Sequence, residues 1–137
     1  MKRLKREEYL ILLLKCQNRK YMIPQTNILN DHYKGSTFKG LRFIITYNTV
    51  RLDLTGATIR CQFRRKSPIG DLTKELNIGT GITVTDAVNG VFRFDEMKIN
   101  WDADIYYYDI EIALSNGNND TYVKGTINVI QDSTWTI

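Results

Sequence analysis

The 137-residue chain has few of the side chains on which catalytic and metal sites depend. It contains one histidine, His32, and two cysteines, Cys16 and Cys61. His32 has no second histidine or reactive cysteine near it in sequence, so no pair of nucleophile and base can be proposed. The sequence also lacks zinc-ligand spacing and a glycine-rich phosphate loop. These absences predict a protein that is not an enzyme and that binds no cofactor and no metal.

Two cysteines are too few for a disulfide framework, and we expect both to be small buried hydrophobic residues. Long apolar runs are also missing, since Tyr9–Leu14 is far shorter than the ~20 residues of a membrane span. That run follows a basic start and imitates a signal peptide. Glu7 and Glu8 precede it, however, and Lys15 spoils a cleavage site before Cys16. We therefore expect no membrane partner, and a soluble chain made in the cytoplasm.

The positive charge is concentrated at the N-terminus. Residues 1–20 contain seven Lys or Arg and two Glu, which gives 7 − 2 = +5, whereas the whole chain carries +4. The remaining residues therefore sum to 4 − 5 = −1. The body of the protein is close to neutral. The acidic residues Asp109 and Glu111 beside Tyr107 disfavour nucleic acid as a partner.

Residues 1–21 are predicted to form a basic and apolar docking arm, followed by an extended linker over residues 22–32. Residues 3–17 are the one segment with helix-forming composition, although Tyr9–Leu14 could instead be a strand added to a sheet. A helix with six consecutive apolar residues would need to be covered on more than one side. We expect the arm to dock on another chain through five apolar side chains: Tyr9, Leu10, Ile11, Leu13 and Leu14.

From Tyr33 to the end, the sequence predicts strands. Inward-facing residues alternate with polar ones in several segments, for example Ala57, Ile59, Cys61 and Phe63. Asn89-Gly90 is a strong hairpin signal, and Trp101 is expected to plug the core. Turn signals recur roughly every 8–12 residues, as in a β-sandwich. Residues 33–137 are therefore predicted to be one all-β domain.

The segment from Asp104 to Val129 has the pattern of a β-hairpin. Tyr106, Tyr108 and Ile110 lie on one side of a period-2 ribbon, whereas Asp109 and Glu111 lie on the other. We expect Tyr106 and Tyr108 in the core, with one hydroxyl pinning a loop as in a tyrosine corner. The same three-tyrosine run could instead stack on sugar rings or bases, and Tyr107 is the outward-facing member.

The order of these pieces resembles a family of immunoglobulin-like domains in tailed-phage structural proteins, and is closest to the N-terminal domain of the baseplate upper protein and related fibre or capsid-attached modules. The matching segments cover about residues 33–134: Tyr33-Lys-Gly-Ser-Thr-Phe38, Asp53-Leu-Thr-Gly-Ala-Thr-Ile-Arg60, Gly81-Ile-Thr83, Asn89-Gly-Val-Phe92, Tyr106-Tyr-Tyr-Asp-Ile110 and Lys124-Gly-Thr-Ile-Asn-Val129. Where family members often have a glycine before this tyrosine motif, the chain has Ala103-Asp104-Ile105.

This resemblance implies an immunoglobulin-like antiparallel β-sandwich with an N-terminal helical or extended arm. It also implies a bacteriophage virion structural protein that packs into a capsid or tail assembly. The expected partners are other virion proteins, namely capsid, portal-proximal or tail subunits, present in multiple copies. The alternative is a carbohydrate- or receptor-binding module of a phage fibre or baseplate, with Tyr107, Trp101 or Trp135 as a stacking face.

Three further clusters of polar residues can be interpreted either as functional sites or as ordinary surface residues. Arg60, Arg64, Arg65 and Lys66 could form a phosphate-binding stripe, but a solvated outer face is the preferred interpretation. Asn116, Asn118 and Asp120 imitate the start of a calcium loop but lack its later glutamate, which favours a hairpin tip. The carboxylate pairs Asp95–Glu96 and Asp102–Asp104 are interpreted as polar turn residues.

Overall fold

The computed structural model describes residues 24–134 and, for the course of the backbone only, residues 9–14. Every regular element in these residues is a β-strand. The strands are β1 (Tyr9–Leu14), β2 (Gln25–Thr26), β3 (His32–Tyr33), β4 (Thr37–Phe38), β5 (Leu41–Tyr47), β6 (Val50–Arg51), β7 (Thr58–Arg65), β8 (Leu72–Ile78), β9 (Gly81–Asp86), β10 (Val91–Phe94), β11 (Met97–Lys98), β12 (Asp104–Ala113) and β13 (Asn119–Ile130).

One large sheet contains most of these strands, in the order β1-β5-β10-β9-β8-β7-β12-β13-β2. In addition, β3 pairs with β13 and β6 with β5, whereas β4 and β11 form a small separate sheet. The pairings are antiparallel from β5 to β13, except where β8 and β9 meet over two residues. The N-terminal strands β1, β2 and β3 all pair in parallel, so the predicted antiparallel sandwich has parallel strands added at its edges.

The sheet curls so that its two halves face each other. Phe63 on β7 and Phe94 on β10 are three strand spacings apart, which would be about 14 Å in a flat sheet. Their ring centroids are nevertheless 6.3 Å apart. The sheet therefore folds over near the short contact between β8 and β9, and the two halves enclose one core.

The strand order is that of an immunoglobulin-like sandwich. β5, β10 and β9 correspond to strands B, E and D of one layer, and β8, β7, β12 and β13 to strands C′, C, F and G of the other. Near the start of β12, the Tyr106 hydroxyl donates a hydrogen bond to the Asp102 carbonyl at 2.6 Å. This is the tyrosine corner of such domains. The predicted all-β, immunoglobulin-like fold class is thus confirmed.

The core follows the alternation in the sequence. Ile59, Cys61 and Phe63 on β7 are buried, as are Tyr108 and Ile110 on β12, and these inward-facing predictions are confirmed. Trp101 packs on the rings of Phe63 and Tyr106, with centroids 5.1 Å away in both pairs. The remaining buried apolar residues include Phe43, Ile45, Leu76, Ile82, Phe92, Phe94, Ile99, Ile112, Val123, Ile127 and Val129.

Tyr9–Leu14 form β1, so the alternative of a strand added to a sheet is confirmed for this segment and the helix is wrong there. This strand runs parallel to β5, with a register from Tyr9↔Arg42 to Leu14↔Tyr47. A helix and a strand at a sheet edge both give the backbone of this segment hydrogen-bond partners. An apolar helix would in addition need other parts of a protein packed around most of its surface, which a strand does not. The rest of that predicted helix lies outside the described residues.

The predicted linker is extended, but from Pro24 onward it is a part of the sandwich and not a free connection. The Asn27 amide donates to the Lys124 carbonyl at 2.7 Å, and the Leu29 amide donates to the Thr126 carbonyl at 2.9 Å. The Leu29 side chain is buried in the core. Because residues 24–33 run along β13 in this way, they complete the β7–β12–β13 layer at its edge.

Candidate functional site

The outer face of the β7–β12–β13 layer carries a regular array of polar and aromatic side chains. Because successive residues of a strand point to opposite sides, the neighbours of buried core residues point outward here. Six outward-facing side chains form two rows across the strands: Arg64, Tyr107 and Thr126 in one, and Gln62, Asp109 and Lys124 in the other. This array is the floor of the candidate site.

Two segments rise above this floor and turn it into a groove, which we call the Tyr107 groove. On the β13 side, Thr26 and Ile28 form one wall, and Pro68 of the β7–β8 loop lies on the opposite side. The cavity has a volume of about 460 Å³, within the range of pockets that hold small ligands. Its lining residues are Thr26, Ile28, Gln62, Arg64, Pro68, Tyr107, Tyr108, Asp109, Lys124, Gly125 and Thr126.

The first wall can lie close to the floor because position 125 is a glycine. A Cβ atom there would be 1.6 Å from the Asn27 carbonyl oxygen, which is backbone and cannot rotate away. Beneath this crossing, the Tyr108 hydroxyl donates to the same Asn27 oxygen at 2.8 Å and accepts from the Asn27 Nδ2 at 2.9 Å. Burial raises the pKa of the Tyr108 hydroxyl, so it stays protonated as this donor.

The second wall is held by Arg64 itself. The Arg64 Nη1 donates to the Gly70 carbonyl at 3.0 Å, and its Nη2 donates to the Gln62 Oε1 at 2.9 Å. The Gln62 Nε2 in turn donates to the Glu75 Oε1 at 3.1 Å. These bonds fix the guanidinium at the groove while it donates only to neutral oxygens.

The neighbouring arginines of β7 are paired with carboxylates. Arg60 lies 3.2 Å from a Glu111 oxygen, and Arg65 lies 2.9 Å from Asp104 and 3.2 Å from Asp102. The hydrogen bond from Arg65 lowers the pKa of the Asp104 carboxyl, which keeps that pair ionised. Among the three arginines of β7, Arg64 alone has no carboxylate within salt-bridge distance in the described part of the chain.

Asp109 and Lys124 face each other across β12 and β13 but form no salt bridge. Partial burial raises the pKa of the Asp109 carboxyl, and Glu111 adds to this effect, whereas Arg60 and Arg64 oppose it. Residues 24–134 offer neither side chain a hydrogen-bond partner. The site therefore presents an acceptor, a free ammonium and a fixed guanidinium around one aromatic ring.

No protein-family model matches the chain, and no curated protein matches it. Among solved structures, the chain is similar to one described as "Drosophila OTK, extracellular domains 3-5", with 18% sequence identity and a TM-score of 0.38. The match covers 90% of this chain, which spans 39% of the length of that one. The fold class rests on the strand order and tyrosine corner described above. The assignment to phage virions, implied by the sequence resemblance, stays a prediction.

The phosphate-binding stripe that the sequence left as an alternative is not brought together as one surface. Arg60 and Arg65 are held by carboxylates, as described above, and the Lys66 Nζ lies 3.9 Å from the Asp104 carboxylate. Arg64 instead faces the Tyr107 groove. Arg60, Arg65 and Lys66 fit the preferred interpretation of a solvated outer face, since each lies near a carboxylate. Arg64 does not fit it, because it lines the groove.

The other candidates are accounted for by local contacts. At the hairpin tip, the Asn118 amide donates to the Asn116 Oδ1 at 2.9 Å, which is the behaviour of a turn residue. His32 hydrogen-bonds through its Nε2 with the Ser36 carbonyl at 2.8 Å. Asp95 accepts from the Thr83 hydroxyl at 2.7 Å and from Arg93 at 3.2 Å.

Cys61 is a free, buried thiol, as predicted, and burial raises its pKa well above the ordinary value. Cys16 and Trp135 lie outside the described residues, as do the side chains of the five docking residues Tyr9, Leu10, Ile11, Leu13 and Leu14. Within the described ranges, no group of three or more His, Cys, Asp or Glu could hold a metal ion. No helix there is long and apolar enough to cross a membrane.

Sequence reasoning identified Tyr107 as the outward-facing tyrosine but missed the groove around it. The sequence did not predict that residues 24–33 form a wall of the groove. It also did not predict which of the β7 arginines pair with carboxylates. One signal was present in the sequence, because Gly125 interrupts the β-branched and aromatic pattern of β13. A glycine inside a strand indicates a place where another backbone approaches closely.

Proposed function

We propose that the chain is a bacteriophage virion structural protein, which packs into a capsid or tail assembly through its immunoglobulin-like domain and its N-terminal arm. The observation that carries this proposal is the position of β1. This strand is the terminal strand of the large sheet, added in parallel along β5 over six residue pairs. β1 thus occupies the edge position of strand A, beside strand B, but it runs parallel to β5, whereas the sheets of an immunoglobulin-like domain are antiparallel.

An added edge strand is suited to joining subunits. Each strand has backbone donors and acceptors on two sides, and in the described structure β1 uses only the side that faces β5. A strand edge without a partner strand is a template for pairing with another chain. The apolar composition of Tyr9–Leu14 adds side chains that another subunit could cover.

The resemblance of residues 33–134 to modules of tailed-phage particles supports placing this assembly in a virion. The partners would be capsid, portal-proximal or tail subunits, and the protein would reach the particle after synthesis in the host cytoplasm. The few catalytic side chains in the sequence agree with a structural role.

Removing the arm tests this proposal. A chain that starts at Met22 keeps residues 24–33, which complete the sandwich, but lacks β1. We expect it to fold and to remain monomeric, whereas the full-length chain forms oligomers. Burial of the arm could contribute roughly 1.5–3 kcal/mol per apolar side chain before ordering costs, enough to decide association. Sedimentation velocity gives the oligomeric state, and circular dichroism with a thermal melt gives the fold.

A chain that starts at Glu7 is the matched control, because it lacks four basic residues, Lys2, Arg3, Lys5 and Arg6, but retains β1. It should assemble like the full-length chain. If the Met22 chain fails to fold, β1 is a required part of its own domain. If it folds but associates as strongly as the full-length protein, the arm is not the assembly element.

The second candidate function is a carbohydrate- or receptor-binding module of a phage fibre or baseplate. The Tyr107 groove favours it, because the groove combines an aromatic floor with polar side chains that have unused hydrogen-bonding capacity. Of the other stacking faces considered from sequence, Trp101 is packed on Phe63 and Tyr106, and Trp135 lies outside the described residues.

A further inference from the structure

The floor of the Tyr107 groove is a platform for a flat ligand. Tyr107 is half-buried on the outer side of β12, directly between Arg64 on β7 and Thr126 on β13. Its neighbours Tyr106 and Tyr108 point into the core and fix the strand beneath it. An aromatic ring held in this way packs well against the apolar face of a sugar ring, and its cost in conformational entropy is small.

The lining of the groove has more cations than carboxylates in the described part of the chain. Arg64 donates to the carbonyl of Gly70 and the amide oxygen of Gln62, and to no carboxylate. Lys124 points to the same groove from β13, and no described side chain pairs with its ammonium. Two cations against the single carboxylate of Asp109 leave a net charge of +1. A ligand with an anionic group would complete this arrangement with charge-assisted hydrogen bonds.

Asp109 restricts which anionic ligand fits. Its carboxylate can only accept hydrogen bonds, and it receives none from the described residues. Hydroxyl groups of a ligand would supply these donors two positions along β12 from the Tyr107 ring. A DNA backbone has no such donors, because its phosphate and sugar oxygens only accept hydrogen bonds.

From this geometry we propose that the Tyr107 groove binds an acidic sugar, in which the ring packs on Tyr107, its hydroxyls donate to Asp109, and its carboxylate or phosphate lies between Arg64 and Lys124. The groove volume of about 460 Å³ is sufficient for a small saccharide. This inference rests on the second candidate function and names its ligand class, and it is compatible with the assembly role of the arm.

Titration calorimetry of the full-length protein with a short oligogalacturonate tests the proposal. A neutral maltooligosaccharide and an oligothymidylate of similar length serve as comparison ligands. We expect the acidic sugar to bind about tenfold more tightly than the neutral one, because it alone forms the charge-assisted bonds. This difference should shrink as salt is raised. Competition by glucuronic acid and by mannose 6-phosphate then distinguishes a carboxylate from a phosphate as the preferred anion.

Variants locate the binding site. Lys124→Gln removes an exposed side chain that pairs with none of the described side chains, and it should erase most of the preference for the acidic sugar. Tyr107→Ala should weaken both sugars by about tenfold or more, whereas the control Tyr107→Phe keeps the ring and should bind like the wild type. Lys124→Gln remains informative if Tyr107→Ala does not fold.

The outcomes distinguish a failure of the acidic-sugar inference from a failure of the carbohydrate-binding function on which it rests. Equal binding of neutral and acidic sugars would overturn the acidic-sugar inference but keep the carbohydrate-binding function. Binding of neither sugar would overturn both. Tighter binding of the oligothymidylate would show that the cations serve a nucleic acid, and unchanged binding in Lys124→Gln and Tyr107→Ala would place the sugar elsewhere.

Discussion

Ile110→Ala is expected to unfold a large fraction of the protein or to prevent its accumulation on expression. Ile110 is completely buried in β12, where it pairs with Cys61 on β7 and with Val123 on β13. Truncating a buried isoleucine to alanine costs about 2–5 kcal/mol, because it removes buried apolar surface and leaves a cavity. The whole domain is stabilised by about 5–15 kcal/mol. Urea unfolding followed by fluorescence measures this loss directly.

Glu111→Ala is the matched control in the adjacent position of the same strand. Glu111 faces outward and is paired with Arg60, which is itself half-exposed, so its removal should cost at most about 1 kcal/mol. If the two substitutions destabilise the domain equally, the register of β12 is wrong, since a shift by one residue exchanges the inner and outer faces.

Gly125→Ala is expected to detach the segment of residues 24–33 from β13. The added methyl group would lie 1.6 Å from the Asn27 carbonyl oxygen and 3.1 Å from the Tyr108 ring. Moving the Asn27 backbone away would break its bonds with Lys124 and with the Tyr108 hydroxyl. Overpacking and the lost hydrogen bonds together should cost roughly 2–4 kcal/mol. The fall in the unfolding midpoint gives the size of the effect, and faster amide exchange over residues 24–33 gives its location.

Gly117→Asn is the control for a glycine in an open position. Gly117 is at the hairpin tip with a φ of 94°, and no atom lies within 4 Å of the place of its missing Cβ. Asparagine tolerates positive φ better than most residues, so this change should cost less than Gly125→Ala. Comparable losses in the two variants would mean that the segment does not cross β13 closely at Gly125.

The sandwich was predictable because apolar and polar residues alternate along its strands. Ile59, Cys61 and Phe63 are separated by polar residues, and so are Tyr108 and Ile110, which sets the inner face of each strand. The Asn89-Gly90 signal predicted a hairpin, and β9 and β10 are joined there as expected. The tyrosine corner also follows from its position at the start of a predicted strand.

The edges and the groove were not predictable in this way, since they depend on contacts between distant segments. Residues 24–33 have no period of their own, and their extended form is fixed by backbone bonds to β13. The six apolar residues of β1 fit a helix or a strand equally well until the β5 edge is known. Arg60, Arg64 and Arg65 look alike in sequence, but the neighbouring strands determine which of them forms no salt bridge with a described carboxylate.

The role of β1 in assembly is tested most directly by hydrogen–deuterium exchange of residues 9–14 as a function of protein concentration. In the monomer, about half of the β1 amides face β5 and should be protected, because alternate residues point to opposite sides. We predict that protection extends to the remaining β1 amides as oligomers form at high concentration. Oligomers that leave exchange in β1 unchanged would contradict the proposal that its free edge joins the subunits.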